Sequence, residues 1–299
     1  MPLVDTLHEV PTRLWKSRPW SWATLREIAS LRRELRAGAY DICVDLQGSI
    51  RSAILGRLAA TQRFVGSDAP RERPARTLYN ERVAVHDGHV IDQASSLVAA
   101  VMGQPSLAPE SVHLPFDEEA ERWVEHMLYQ LRCNASERLV LLVPHAGWGA
   151  KQWPIERFRE LASGLCAAGY RVLVNDAGEK IAAKGSVWNQ EATVLPMSIA
   201  QLIALTRRMC LVVGGDTGPV HLAAALGVPV VALFGPTDPA RNGPSFPGAH
   251  VRILRHPASK TDHRRHPETE AGLGRLTTDE ALSAAIALLA TVHEASEAL

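Results

Sequence analysis

The sequence has no surplus of either charge: Lys plus Arg and Asp plus Glu number 32 each in 299 residues. That balance gives no ground for nucleic acid as a partner or for a generally basic, membrane-binding surface, so any anion site has to be local. Cysteine is scarce. The four residues Cys43, Cys133, Cys166 and Cys210 are far apart and make no CxxC pair, which argues against zinc or dithiol chemistry, because such sites need clustered ligands. Cys43 and Cys210 lie in apolar runs and Cys166 on an apolar helical pattern, the setting of small buried hydrophobes. Free thiols fit a reducing compartment. No apolar stretch approaches the ~20 residues needed to span a bilayer. The start, Met1-Pro2-Leu3-Val4-Asp5, lacks the basic and then apolar regions of a secretory signal. Internal repeats and low-complexity tracts are absent too. A cytoplasmic protein is expected.

What is present is an ordinary globular mixture, 46% hydrophobic and 21% charged, long enough for two domains with real cores. The second half alternates strands and helices. Leu139 to Val143 is an unbroken apolar run, as in a parallel strand covered on both faces. Pro154 then opens a helical pattern with Phe158, Leu161, Leu165 and Cys166 on one face, and Gly169 closes it. Tyr170 to Val174 is the next strand, Ser198 the N-cap of a helix over Ile199 to Met209, and Leu211 to Val213 a strand. A short helix over His221 to Leu226 stops at Gly227, before a strand over Val228 to Phe234. Strict βαβα alternation implies a parallel sheet with right-handed crossovers. The first half is less regular. It has a helix over Trp22 to Ala37 with Leu25, Ile28, Leu31 and Leu35 on one stripe, a strand over Tyr40 to Leu46, a helix over Ser52 to Ala60, and short strands at Arg63 to Gly66 and Arg82 to Val85. The domain boundary is placed at 136/137, after a linking helix over Asp117 to Leu131. The helix from Thr278 to Leu299 is expected to end the second domain and to pack back on the first.

Three loops of the second half carry candidate chemistry. Gly215-Asp216-Thr217-Gly218-Pro219-Val220-His221 lies between a strand and a helix, where free N–H groups and the helix dipole suit a diphosphate. Gly218 permits close approach, Thr217 adds a hydroxyl, and His221 faces the same way one turn on. Asp216 suits orienting donors or capping the helix, since like charges repel. A plain capped helix with a core histidine is an equally good reading. The second loop, His145 to Pro154, also joins a strand to a helix, so both loops leave the carboxyl edge of one sheet, where open α/β sheets bind ligands. Within it, Lys151 is the cation to neutralise a leaving diphosphate. Phe234 to Pro239 is a rigid turn beside the same edge, read equally well as turn chemistry or ligand contact. In the first half, Asp45-Leu46-Gln47-Gly48 ends a strand; Gln47 and Gly48 are candidate ligand contacts and Asp45 a holder of the turn. Arg13, Lys16, Arg18 and Arg71, with Trp15 among them, supply local positive charge or a solvated surface. The stretch His256 to His266 has too few acidic or cysteine partners for a metal site and reads as a solvated loop.

Taken in order, Asp45-Leu46-Gln47-Gly48, Lys151-Gln152-Trp153-Pro154, Asp216-Thr217-Gly218-Pro219-Val220-His221-Leu222 and Gly235-Pro236-Thr237-Asp238-Pro239 resemble the ADP-heptose lipopolysaccharide heptosyltransferase family. Arg13-Leu14-Trp15-Lys16, Arg71-Glu72 and Tyr79-Asn80 are most similar to its heptosyltransferase I branch. The resemblance implies a GT-B fold of two Rossmann-like domains with the active site between them, no metal and no cofactor beyond the donor substrate ADP-heptose. Gly147, Lys151, Glu179, Met197, Asp216, Thr217, Gly218 and His221 would hold the donor: Lys151, Thr217, Gly218 and His221 around the diphosphate, Asp216 orienting the loop, Glu179 at the ribose and Met197 by the adenine. Arg13, Lys16, Gln47, Gly48 and Arg71 would hold the acceptor, a Kdo sugar of lipid A, at the inner face of the cytoplasmic membrane. The reaction implied is inverting transfer in lipopolysaccharide inner-core synthesis, with Lys151 holding the charge of the leaving ADP.

Departures from the pattern matter. The family's catalytic carboxylate belongs to a Gly-Asp turn after a first strand, upstream of everything here, so no residue inherits the role of base. The first half is therefore expected to lack its opening strand, a piece of roughly 30 residues or more, through truncation or a late start, the alternative being that this half has reorganised. Gly147 and Trp148 stand where the branch has hydroxyl residues, and Leu14 replaces a basic one. Rival readings are a non-catalytic sugar-nucleotide or glycan-binding protein that kept the donor half, and a related transferase with another donor.

Overall fold

The computed structural model describes residues 4–85, 88–108, 113–134, 136–176, 188, 192–262 and 266–297. The chain divides into two compact units, Met1–Ala108 and Pro109–Leu299. They part at 108/109 and not at 136/137, because the linking helix α5, Glu118–Gln130, has its apolar face in the second unit. Its Ala120, Val124 and Met127 belong to that unit's core. Glu121, buried on the same helix, accepts from Arg207 at 2.8 Å.

The first unit opens with α1, Thr12–Ser17, and α2, Trp22–Ala37. Then come β1 (Ile42–Asp45), α3 (Ile50–Leu58), β2 (Arg63–Ser67), a 3₁₀ turn over Arg73–Leu78, β3 (Glu81–Val83) and α4 (Val90–Met102). The strands form a parallel sheet in the order β1-β2-β3. Phe64, Tyr79, Ala53 and Ala75 make its small buried cluster. Helix α2 has the expected bounds but not the expected inner stripe. Thr24 and Leu31 are its buried residues, with Ile28 and Leu35 half-buried, whereas Leu25 is exposed.

In the second unit β4 (Leu139–Val143), α6 (Ile155–Ala167), β5 (Arg171–Asp176), β6 (Ala192–Pro196), α7 (Ile199–Thr206), β7 (Leu211–Gly215), α8 (Gly218–Ala225), β8 (Val230–Phe234), α9 (Pro239–Asn242), β9 (Val251–Arg255) and α10 (Thr278–Glu297) follow one another. The sheet runs β6-β5-β4-β7-β8-β9, and all its pairings are parallel. Alternation along β4 feeds two cores. Leu139, Leu141 and Val143 meet α5, α7 and α8, while Val140 and Leu142 meet α6 and α10 on the other face. Period-2 side chains on an all-apolar strand are what two-sided burial requires. Helix α10 packs on α6 and on β7, β8 and β9 of its own unit.

The strand order has one functional consequence. From β4 the chain moves outward to β5 and β6, then returns to β7 on β4's other side. The loops leaving β4 and β7 therefore diverge to opposite faces and open a crevice at their carboxyl ends.

Candidate functional site

That crevice is built by three neighbouring strands. After β4 the loop 144–154 makes a 3₁₀ turn at Gly149–Lys151. After β7, Asp216 and Thr217 lead directly into α8, and after β8, Gly235 to Asp238 lead into α9. Close approach is built into the backbone. A Cβ on Gly215 would lie 3.0 Å from the Lys151 carbonyl, and one on Gly149 only 1.6 Å from the carbonyl oxygen of Pro267.

Asp216 is the hub. Its Oδ2 accepts from the Lys151 ammonium and, at 2.8 Å, from the Thr237 hydroxyl. Its Oδ1 accepts from His221 Nε2 at 3.1 Å. The Asp216 side chain is 9% exposed and that of Lys151 12%. Burial pushes this carboxyl's pKa up, but hydrogen bonds from His221, Lys151 and Thr237 and the lysine's charge outweigh it, and the pKa falls to about 2. Lys151 Nζ also sits 4.3 Å above the Trp148 ring, a second attraction for the cation. The ammonium is thereby held at the mouth of the α8 N-terminus. Thr217 is the N-cap residue of α8, yet its hydroxyl turns back to the Gly215 carbonyl and Asp216 makes no cap. The first turn is left to accept an anion. Beside it, a Cβ added at Gly218 or Gly147 would meet nothing within 4 Å. The space next to both backbones is open.

A second layer holds the Lys151 loop from outside. Ala150 N–H donates to the His266 carbonyl, Glu270 N–H to the Ala150 carbonyl, and Thr269 Oγ1 to the Gln152 carbonyl. Asp262 N–H reaches the Pro236 carbonyl, so residues 262 and 266–270 clasp two of the three loops. They border a cavity of about 440 Å³ with Ala150 and Pro236. Of the histidine-rich stretch, 263–265 lie outside the described residues. Among the described residues, no group of His, Cys, Asp and Glu is placed to hold a metal ion.

The first unit has its own hub. Asp45, buried at the end of β1, accepts from the Gln47 and Gly48 N–H groups through Oδ1, and from Ser52 Oγ and the Tyr79 hydroxyl through Oδ2 at 2.9 and 2.8 Å. Burial and the neighbouring Asp45 raise the Tyr79 phenol well above its ordinary range. Gly48 has φ +64°, and a Cβ there would lie 2.9 Å from the Arg71 nitrogen. Glu72 ties the same turn twice, donating its N–H to the Gly48 carbonyl and accepting from Ile50 N–H.

A family model described as "Glycosyltransferase family 9 (heptosyltransferase)" matches residues 28–271. The chain belongs to this family. It is a glycosyltransferase of the α/β, GT-B class, with two Rossmann-like units. Lipopolysaccharide heptosyltransferase 1 of Pseudomonas aeruginosa is 30% identical over 264 residues, 85% of this chain and 70% of that protein. The Escherichia coli K12 enzyme of the same name is 30% identical over 251 residues, 80% of this chain and 75% of its own length. Among solved structures, E. coli heptosyltransferase WaaC with ADP superposes with a TM-score of 0.67 at 26% identity, covering 95% of this chain and 82% of that one. E. coli ADP-heptose lps heptosyltransferase II shares the fold, with a TM-score of 0.69 at 23% identity over 90% and 82% of the two chains.

Of the donor candidates, Lys151, Asp216 and His221 are drawn into one network, with Thr217 and Gly218 on the connecting turn. Gly147 is in the Lys151 loop. Met197 follows β6 at the far side of the sheet and packs partly buried against the core, while Glu179 lies outside the described residues. Of the acceptor candidates, Gly48 and Arg71 meet, Gln47 is exposed beside them, and Arg13 and Lys16 are exposed on α1. A 3.3 Å bond from Arg51 to Thr12 ties α1 to α3. Sequence reasoning missed Thr237 as the third partner of Asp216. Its signal was present in a strand-end turn beside the same sheet edge. It also missed the 266–270 clasp, which rests on two backbone hydrogen bonds and the Thr269 hydroxyl and leaves no side-chain pattern.

Proposed function

We propose that this chain transfers heptose from ADP-heptose to a Kdo residue of lipid A, with inversion, in lipopolysaccharide inner-core synthesis at the inner face of the cytoplasmic membrane. The observation that carries the donor half is the Lys151–Asp216–His221 network at the α8 N-terminus, on the crevice between β4 and β7. A diphosphate there draws the Lys151 ammonium off Asp216, and the lysine with the helix end then holds the charge that grows on ADP as the glycosidic bond breaks. Thr217, Gly218 and Gly147 line the open space, His221 adds a donor, and Glu179 and Met197 serve the ribose and adenine. The WaaC structures in complex with ADP and with ADP-2-deoxy-2-fluoro heptose, both 26% identical to this chain, support that choice of donor. Arg13, Lys16 and Arg71, with Gln47 and Gly48, suit the carboxylate and phosphates of a Kdo-bearing lipid A. Asp45 is not the base that takes the acceptor proton, because it is buried with both oxygens already engaged by four donors.

The test is the product. Incubated with ADP-heptose and Kdo–lipid A, the chain should raise the acceptor's mass by one heptosyl unit, slowly because the acceptor hydroxyl gives its proton to solvent and not to a positioned carboxylate, and Arg71→Ala should lower that yield by raising the acceptor's KM. A different sugar nucleotide used in preference, or transfer insensitive to Arg71, contradicts the reading.

A further inference from the structure

The chain as a whole is neutral, but its charge is not evenly spread. From Thr12 to Ala37, α1 and α2 and the turn between them hold seven basic residues and two acidic ones. The two carboxylates are already engaged: Glu27 accepts from the Trp15 indole and from Arg18, and Glu34 accepts from Ser30 and lies 3.9 Å from His8. Among the described residues, Arg26, Arg32, Arg33 and Arg36 make no ion pair.

Large apolar side chains stand on the same surface. Trp20, in the turn, is 89% exposed, and Trp22, the first residue of α2, is 84% exposed. Leu14 on α1 and Leu25 on α2 are also exposed. Helical spacing aligns Trp22 with Arg26, Arg33 and Arg36, on the side of α2 turned away from its packed stripe of Thr24, Ile28, Leu31 and Leu35. Two nearly naked indoles are costly to leave in water. A helix with one face against the protein, basic residues along the other and tryptophans at its start is the pattern of a segment that lies at a membrane–water interface.

We propose that the α1–α2 surface docks on a bilayer rich in anionic lipid, with Trp20 and Trp22 entering the headgroup region and Arg26, Arg33 and Arg36 meeting lipid phosphates. The inference stands on surface chemistry and does not require the donor or acceptor named above. The partner fits on charge, because an anionic bilayer matches the unpaired arginines and offers the indoles a half-apolar layer that a soluble polyanion lacks.

Co-sedimentation of the full chain with phosphatidylglycerol/phosphatidylethanolamine vesicles, and with phosphatidylcholine vesicles as control, tests it. Binding should be confined to the anionic vesicles, weaken as salt rises, and shift tryptophan emission to the blue. Arg26→Gln/Arg33→Gln/Arg36→Gln should weaken it on the order of a hundredfold, at roughly fivefold per basic residue. Trp20→Ala/Trp22→Ala should weaken it tenfold or more and abolish the blue shift. All these side chains are exposed, so both variants should keep the wild-type melting curve and ADP affinity. Equal binding by wild type and variants, no binding to anionic vesicles, or equal affinity for duplex DNA would overturn the proposal. So would a concentration-dependent dimer that the Trp variant loses. The vesicles hold no Kdo-bearing lipid, so failure here leaves the transfer reaction standing, and failure of transfer leaves this result readable.

Discussion

Asp216 and Lys151 show what a buried charge needs. Neither would be tolerable alone at this burial, and truncating one leaves the other uncompensated. Asp216→Asn should therefore destabilise the second unit at neutral pH, on the order of 2 kcal/mol from a carboxyl pulled from 3.8 to about 2. Because the folded-state pKa is the lower one, this contribution is complete above about pH 4 and is lost as pH falls toward 2. Denaturant midpoints of wild type and variant should converge over that window; a constant gap down to pH 2 would mean the carboxylate is not the stabilising species. Thr237 separates position from charge. Thr237→Ser should keep the 2.8 Å bond to Asp216 and wild-type donor affinity, whereas Thr237→Val should raise the KM for donor several-fold, read by steady-state kinetics. In the first unit, Tyr79→Phe should cost about 1–3 kcal/mol for a buried Asp45 that loses a donor, measured by urea unfolding.

At the scale of elements, what was legible depended on where the determinant lay. Leu139–Val143 was readable residue for residue, because an all-apolar run admits little besides a two-sided strand. Ser198 was readable as a cap because its partner is three residues on. The loops of the proposed donor site follow from strand–helix alternation alone. Their internal geometry was not, since Asp216 finds Lys151 across 65 residues and Asp45 finds Tyr79 across 34. Apolar character gives Leu25 to the stripe, but Thr24 is the buried residue there, its hydroxyl held by Ser21 and the Arg18 carbonyl at the helix start. The clasp over the Lys151 loop is likewise invisible until folded. Gly149→Ala should force it open, since its Cβ would collide with Pro267 backbone. Hydrogen exchange should show faster exchange at the Ala150 and Glu270 amides and unchanged protection in β4. Protection equal to wild type at those amides would show that the clasp can shift without opening.

For the whole molecule, the proposed split of donor and acceptor follows the division into two units. Among the described residues, the second unit owns two extensive cores, one on each face of its sheet, while the first has one small cluster. Calorimetry should show two transitions, with ADP raising only the one that belongs to the second unit, by about 2.7 kcal/mol at a hundredfold excess over Kd. The central claim is narrower: Lys151, released from Asp216, holds the diphosphate of ADP-heptose at the α8 N-terminus. The most direct measurement is calorimetric titration of the chain with ADP-heptose in EDTA, for wild type and Lys151→Ala. Binding by the wild type, weakened roughly tenfold or more by loss of the charge-assisted contact, is the predicted result. Equal affinity of the two proteins, or wild-type binding that requires a divalent cation, would contradict it.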